Sequence, residues 1–265
     1  MIGILVAATL YTAAQGKAVQ LKVPNEPRTQ SVQVMWKEKR VPAFRADGVW
    51  TTLLGIDLDT KPGTHAAEAL LTMDDGSVER REIEIKVAEK KFPVTRLTVA
   101  PRFTQLSKTD QDRASRESKE VGAIYQRITT DLVPEPVFIV PIPGRSGTNF
   151  GERRVFNGEA RAPHSGADLR AATGTPVHAT NRGRVVLAKS LFFTGNTVIV
   201  DHGLGIYSLY AHLSRLDVKK GEAVKRNQIV GLAGATGRVT GPHLHWAIRM
   251  QGARVDPFSL VKASD

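Results

Sequence analysis

The chain of 265 residues contains no cysteine. That excludes a disulfide framework, a cysteine-ligated zinc site and a lipidated N-terminal cysteine. Any metal site must therefore be built from histidine and carboxylate. No segment beyond the N-terminus approaches the roughly 20 apolar residues that a membrane helix needs. Aromatic residues make up only 6%, and neither an RNA-binding aromatic motif nor a helix-turn-helix pattern accompanies the charge. No internal repeat or low-complexity tract stands out. What is present in excess is positive charge, +11 at neutral pH. That balance suits an anionic partner, although Lys and Arg also simply solvate a surface. The length accommodates one large or two ordinary domains, each with its own core.

At the N-terminus, Ile2–Leu10 is apolar and is followed by the small residues Thr12-Ala13-Ala14. Residues 1–16 read as a signal peptide or an anchor, the alternative being a buried first strand. Residues 17–100 show short alternating strands. Val32, Val34 and Trp36 alternate with more polar neighbours, and Ile83, Ile85 and Val87 alternate with Glu82, Glu84 and Lys86. Asp74-Asp75-Gly76-Ser77 supplies a hairpin turn. This pattern predicts a small immunoglobulin-like β-sandwich that carries no chemistry. Residues 101–135 are charged and helix-favouring, with Val121, Ile124, Tyr125 and Ile128 at helical spacing. They predict a helical connector lying against one of the domains. Pro134, Pro136, Pro141 and Pro143 then force an extended entry into a second domain, residues 136–265.

Short strands with Gly, Pro or Asn at the bends make this second domain antiparallel β, so the chain as a whole is mainly β. Its chemistry gathers in three motifs, which hold four of the seven histidines. In Gly241-Pro242-His243-Leu244-His245-Trp246 an extended backbone places His243 and His245 on one face and Leu244 and Trp246 on the other. In Pro163-His164-Ser165-Gly166-Ala167-Asp168 the proline and glycine favour extended structure, and His164 with Asp168 offers zinc a nitrogen and an oxygen. The third is Tyr210-Ala211-His212-Leu213. Tyr210, two residues from His212, reads as sharing its face and hydrogen-bonding substrate or intermediate; the alternative is an aromatic core residue. Arg153 and Asn157, in the polar lead-in to His164, are further candidates for substrate contact. Gly231, Gly234, Gly237 and Gly241 leave room for an extended ligand backbone, or simply form tight turns. His178 reads as a strand-end residue and His202 as a structural hydrogen-bonding one.

Together with Phe150-Gly151-Glu152-Arg153, Gly174-Thr175-Pro176-Val177, Gly234–Gly241 and Val255-Asp256-Pro257, these motifs make the stretch from about Phe150 to Leu260 resemble the lysostaphin/LytM-type zinc metalloendopeptidases of peptidoglycan. The resemblance implies a Zn2+ held by His164, Asp168 and His245, with His212 and His243 serving the reaction. Three protein ligands leave an open position, the mark of a catalytic zinc site. No Glu lies beside the motifs as it does in the His-Glu-x-x-His zincins, which leaves His212 and His243 as acid/base candidates. The resemblance further implies peptidoglycan as substrate, an exported location in the periplasm or cell envelope, and an envelope activator as a possible partner. No nucleic-acid partner is expected, and membrane contact only through an uncleaved N-terminal segment. The alternatives are a wall-binding regulator of other hydrolases, and another metalloenzyme or copper-binding protein built on the same histidines.

Overall fold

The computed structural model describes residues 9–98, 106–144 and 148–261. In the first part of the chain, strict alternation produces long strands. In β8 (Val78–Ala88), Ile83, Ile85 and Val87 are buried while Glu82, Glu84 and Lys86 stay in water. Its hairpin partner is β7 (Gly63–Met73), joined through the Asp74–Ser77 turn, where Gly76 takes a φ of +82°. The preceding strands are β1 (Thr9–Ala14), β2 (Ala18–Val23), β3 (Thr29–Trp36), β4 (Lys39–Pro42), β5 (Phe44–Ala46) and β6 (Val49–Gly55). They form two sheets, ordered β1-β8-β7-β3-β4 and β2-β6-β5. Leu21, Val34, Leu54 and Ile85 are fully buried between them, and Trp36 Nε1 donates to Gly55 O across the sheets. This is a β-sandwich with an apolar filling and charged outer faces.

Two expectations for this region change. Thr12-Ala13-Ala14 belong to β1, which pairs in parallel with β8 over six residues. Their backbone groups are committed to the sheet, so a signal-peptidase cut after them would strip an edge strand. Ile2–Ala8, the rest of the apolar run, lies outside the described residues. The second change concerns the boundary. The chain divides into compact units at Lys90/Lys91, and β9 (Val94–Leu97) pairs with β10 (Arg153–Phe156) of the second unit. A short strand read alone gives no hint of its partner.

The helix α1 (Lys108–Tyr125) also belongs to the second unit. Ser107 caps it, its side chain accepting from Asp110 N. Tyr125 is buried with Leu187, Tyr207 and Leu209, and Val121 and Ile124 pack alongside. The remaining strands are β11 (Glu159–Ala160), β12 (Ala167–Arg170), β13 (Pro176–His178), β14 (Gly183–Leu191), β15 (Gly195–Asp201), β16 (Ile206–Leu216), β17 (Ala223–Val224), β18 (Ile229–Ala233), β19 (His243–Met250) and β20 (Ala253–Val255). The large sheet runs β12-β19-β16-β15-β14-β17, antiparallel throughout, with β13-β18 attached to β16 and β20 to β19. β16 is its centre: all eight residues from Ile206 to Leu213 are buried. A strand covered on both faces is mostly apolar, and its two polar members here, Ser208 and His212, are hydrogen-bonded. Among the described residues, no helix is long and apolar enough to cross a membrane.

Candidate metal centre

Register brings the site together. β19 lies between β12 and β16, with His245 opposite Asp168 on one side and opposite Ala211 on the other. Directly opposed side chains share a face. Leu244, Trp246, Ile248 and Met250 are fully buried on the other face of β19, which anchors the strand and fixes which way the two histidines point. His164 precedes β12 in a loop held by two backbone bonds, His164 N to Glu152 O and Gly151 N to His164 O. Gly166 is required here: a Cβ would stand 2.5 Å from Trp246 O and 2.9 Å from His245 Cε1. Any larger residue would push the His164 loop away from β19.

Three ligand-type atoms converge. Asp168 Oδ1 lies 2.8 Å from His245 Nδ1 and 3.1 Å from His164 Nε2, and the two nitrogens are 3.1 Å apart. Zinc with ligands at about 2.0–2.2 Å in tetrahedral geometry separates its ligand atoms by about 3.3–3.6 Å. A small relaxation outward would thus seat the ion, and a two-nitrogen, one-carboxylate donor set suits it. Burial pushes the Asp168 carboxyl up, but hydrogen bonding and charge from His164 and His245 outweigh it and hold the group far below its usual range. Burial likewise pushes His245 down, opposed by its contact with Asp168. Both shifts favour the deprotonated forms that bind metal.

One supporting residue escaped the sequence reading. Asn149 Nδ2 donates to Asp168 Oδ2 at 3.0 Å, and Asn149 Oδ1 accepts from Asp168 N at 3.0 Å. Asn149 O accepts from His164 Nδ1 at 3.3 Å, which leaves Nε2 of that ring to face the site. One residue therefore orients two of the three donor groups. Its only signal was position, beside Phe150-Gly151; no periodicity marks it.

His212 reaches the site through a bulge. Val198 faces Tyr210 while Asn196 faces Leu213, so β16 holds one residue more than β15 between these pairs. The extra residue is accommodated at His212, whose φ is +64°. The bulge turns His212 toward His243, with ring centroids 4.8 Å apart, and toward His245 at 6.1 Å. Thr194 O accepts from His212 N, and Thr236 O accepts from its Nδ1 at 2.9 Å. Nε2 is left free. Burial pushes the pKa of His212 down to about 4, so the ring is neutral near pH 7. His243 Nδ1 donates to Gly241 O at 2.9 Å, and its Nε2 stands 3.8 Å from Asp168 Oδ1.

The same bulge removes Tyr210 from the substrate-contact candidates. It breaks the two-residue repeat, so Tyr210 and His212 do not share a face. Tyr210 is fully buried, its Oη accepting from Thr180 N and hydrogen-bonded to Ser208 Oγ. Asn157, at φ +51°, and Gly158, at +86°, form the turn between β10 and β11, and Arg153 is an exposed residue of β10. Neither Arg153 nor Asn157 is among the described residues lining the cleft beside the site. Of the four glycines, Gly231, Gly234 and Gly237 are close approaches to Arg215, Ser214 and Gly195 within the protein; only Gly241 has open space and faces that cleft.

The fold and site together define a β-protein with a histidine–carboxylate metal group at a cleft, flanked by two further histidines. Residues 162–257 match the family model of Peptidase family M23. The chain is similar over 95% of its length, and over 96% of the other chain, to a crystal structure of a Pseudomonas aeruginosa protein assigned to peptidase M23, at 31% identity and TM-score 0.74. It belongs to peptidase family M23. It is also 43% identical over 121 residues to peptidoglycan DD-endopeptidase ShyA of Vibrio cholerae, a match covering 45% of this chain and 27% of that one. To DD-carboxypeptidase/endopeptidase Mpg of Neisseria meningitidis it is 40% identical over 97 residues, covering 37% and 22%. The chain thus spans about a quarter of the length of these curated relatives.

Proposed function

We propose that this chain is an exported zinc endopeptidase that hydrolyses peptide bonds of bacterial peptidoglycan. The observation that carries the reading is the convergence of His164 Nε2, Asp168 Oδ1 and His245 Nδ1 within hydrogen-bond distance of one another, with two more imidazoles beside them. These three atoms would hold the ion. A zinc bound there would supply a water with a pKa of about 7 and a Lewis acid for the scissile carbonyl. The rest falls to the protein. His212 offers a neutral Nε2, fixed in that tautomer by the Thr236 carbonyl, to accept a proton from the attacking water. His243, held by Gly241 O, likewise presents Nε2 on the site face and can stabilise charge on the substrate or pass a proton to the leaving amine. Asn149 keeps Asp168 oriented throughout. Location outside the cytoplasmic membrane follows from the substrate, since the wall polymer lies there.

The test is digestion of purified sacculi by the full chain, with metal content measured on the same sample. About one zinc per chain and release of peptide-cleaved fragments are expected. A zinc-loaded protein that binds sacculi and releases nothing would favour the regulator instead.

A further inference from the structure

The cleft beside the metal group has a volume of about 710 Å³ and is lined in part by Thr148, Asn149, Asp168, Arg170, Pro242 and His243. Its charges are unevenly used. Asp168 is engaged by His164, His245 and Asn149. Arg170 is not: among the described residues no hydrogen bond or ion pair holds its guanidinium. β12 buries Ala167 and Leu169 and turns Asp168 and Arg170 outward together. Arg170 is also the register partner of His243, as Asp168 is of His245. Four side chains on two adjacent strands therefore form one surface: two of the proposed ligands, one of the proposed acid/base groups, and an unpaired cation.

An exposed arginine on a sheet is ordinarily just solvated. This one is distinguished by place. Two residues along a strand advance about 7 Å, close to two residues of an extended substrate. A peptide lying along the cleft with its scissile carbonyl at the metal group would bring a neighbouring residue under the guanidinium. A planar, permanently charged fork with several donors is the side chain best matched to a carboxylate.

We propose that Arg170 is a specificity-determining residue that binds a free carboxylate on the substrate, one or two residues from the scissile bond. This rests on the endopeptidase reading above and narrows its substrate class. Cross-links in which a D-amino acid is acylated carry such a carboxylate next to the amide; the interior of a glycine bridge carries none. Arg170 therefore selects the charged cross-link.

The experiment uses the full chain, zinc-loaded, with two synthetic cross-linked peptides that differ only in whether the carboxylate next to the scissile amide is free or amidated. For the unaltered protein, kcat/KM should favour the free acid by about 10- to 100-fold, the scale of a charge-assisted hydrogen bond. Arg170→Ala should cut the rate on the free acid by about that factor, slow the amidated peptide far less, and so collapse the ratio. Arg170→Lys should keep part of the preference. Zinc content and Tm, measured alongside, should match the unaltered protein. A ratio unchanged in Arg170→Ala, or both peptides slowed alike, overturns the proposal. So does an unaltered protein that cleaves both peptides equally, which leaves the endopeptidase reading standing. If the zinc-loaded protein cleaves neither these peptides nor sacculi, the endopeptidase reading itself fails and takes Arg170 with it.

Discussion

His243 and His245 occupy one face of one strand, two residues apart, yet their surroundings differ. His245 is aimed at Asp168 and His164 with its Nδ1 at 2.8 Å and 3.1 Å, whereas the nearest approach of His243 to Asp168 is 3.8 Å. Replacing His245 by Ala removes one of three donors, so zinc affinity and activity should disappear together. His243→Ala leaves all three donors in place. The protein should retain about one zinc per chain while its activity falls by about 10²–10⁴, the scale for a positioned acid/base group. Metal analysis on each kinetic sample decides between them. A His243→Ala protein that comes out empty of zinc, with His245→Ala still loaded, would reverse the two roles.

At the scale of elements, β16 holds the site from both sides. Its bulge turns His212 toward His243 and His245, and the turn at Phe192–Thr194 supports that placement, Thr194 O accepting from His212 N. The turn is itself braced from α1, where Glu117 accepts from Phe192 N at 2.7 Å. On the buried face, His202 Nδ1 donates to Arg182 O at 2.6 Å, while its Nε2 lies 2.8 Å from Ser208 Oγ, which is bonded to Tyr210. Full burial favours the neutral ring of His202. Burial pushes its pKa down to about 4, against an ordinary value near 6.5, with the Arg182 carbonyl opposing. The folded state therefore binds fewer protons than the unfolded one between those values. Stability should be fully present above about pH 6.5 and decline as pH falls toward 4, by at most about 3 kcal/mol from this residue. Urea unfolding of chelator-treated protein between pH 7.5 and 4 measures it. His202→Gln, although less stable at pH 7.5, should show a flatter decline than the unaltered chain. Parallel slopes would assign the pH dependence to other groups.

Over the whole molecule, charge and chemistry fall in the same unit. Residues 1–90 contain 12 Lys or Arg and 12 Asp or Glu, leaving 25 and 14 of the chain's 37 and 26 in residues 91–265. The net +11 thus lies with the unit that carries the metal group, where it favours approach to an anionic polymer in low salt. The second unit also defines what a minimal active fragment must contain. A fragment beginning at Lys91 keeps β9, α1 and the Tyr125 contact with Tyr207, Leu187 and Leu209. It should fold, bind one zinc and digest sacculi. One beginning at Pro134 loses Tyr125, whose removal alone costs about 3–5 kcal/mol at a buried aromatic position. It should unfold at lower denaturant or aggregate. Equal midpoints for the two fragments in a urea titration would show that α1 contributes nothing to this unit.

Local pattern by itself determined a good deal. Two-residue alternation placed Ile83, Ile85 and Val87 inside and set His243 and His245 on one face opposite Leu244 and Trp246, because the pleat is a property of each strand alone. The lack of cysteine confined any metal site to histidine and carboxylate. Tertiary structure decided the rest. The bulge at His212 arises from pairing with β15, and it separates His212 from Tyr210, which the same alternation had put together. Asn149 acquires its part only when the loop it sits in meets Asp168, 19 residues further on. Arg153 and Asn157 looked suitable by proximity in sequence, but a hairpin uses one as its turn and leaves the other exposed. β9 and α1 joined the second unit because their partners, β10 and β14 with its neighbours, come later in the chain. Pairing between distant segments is set by which buried surfaces complete one another, and no single segment carries that information.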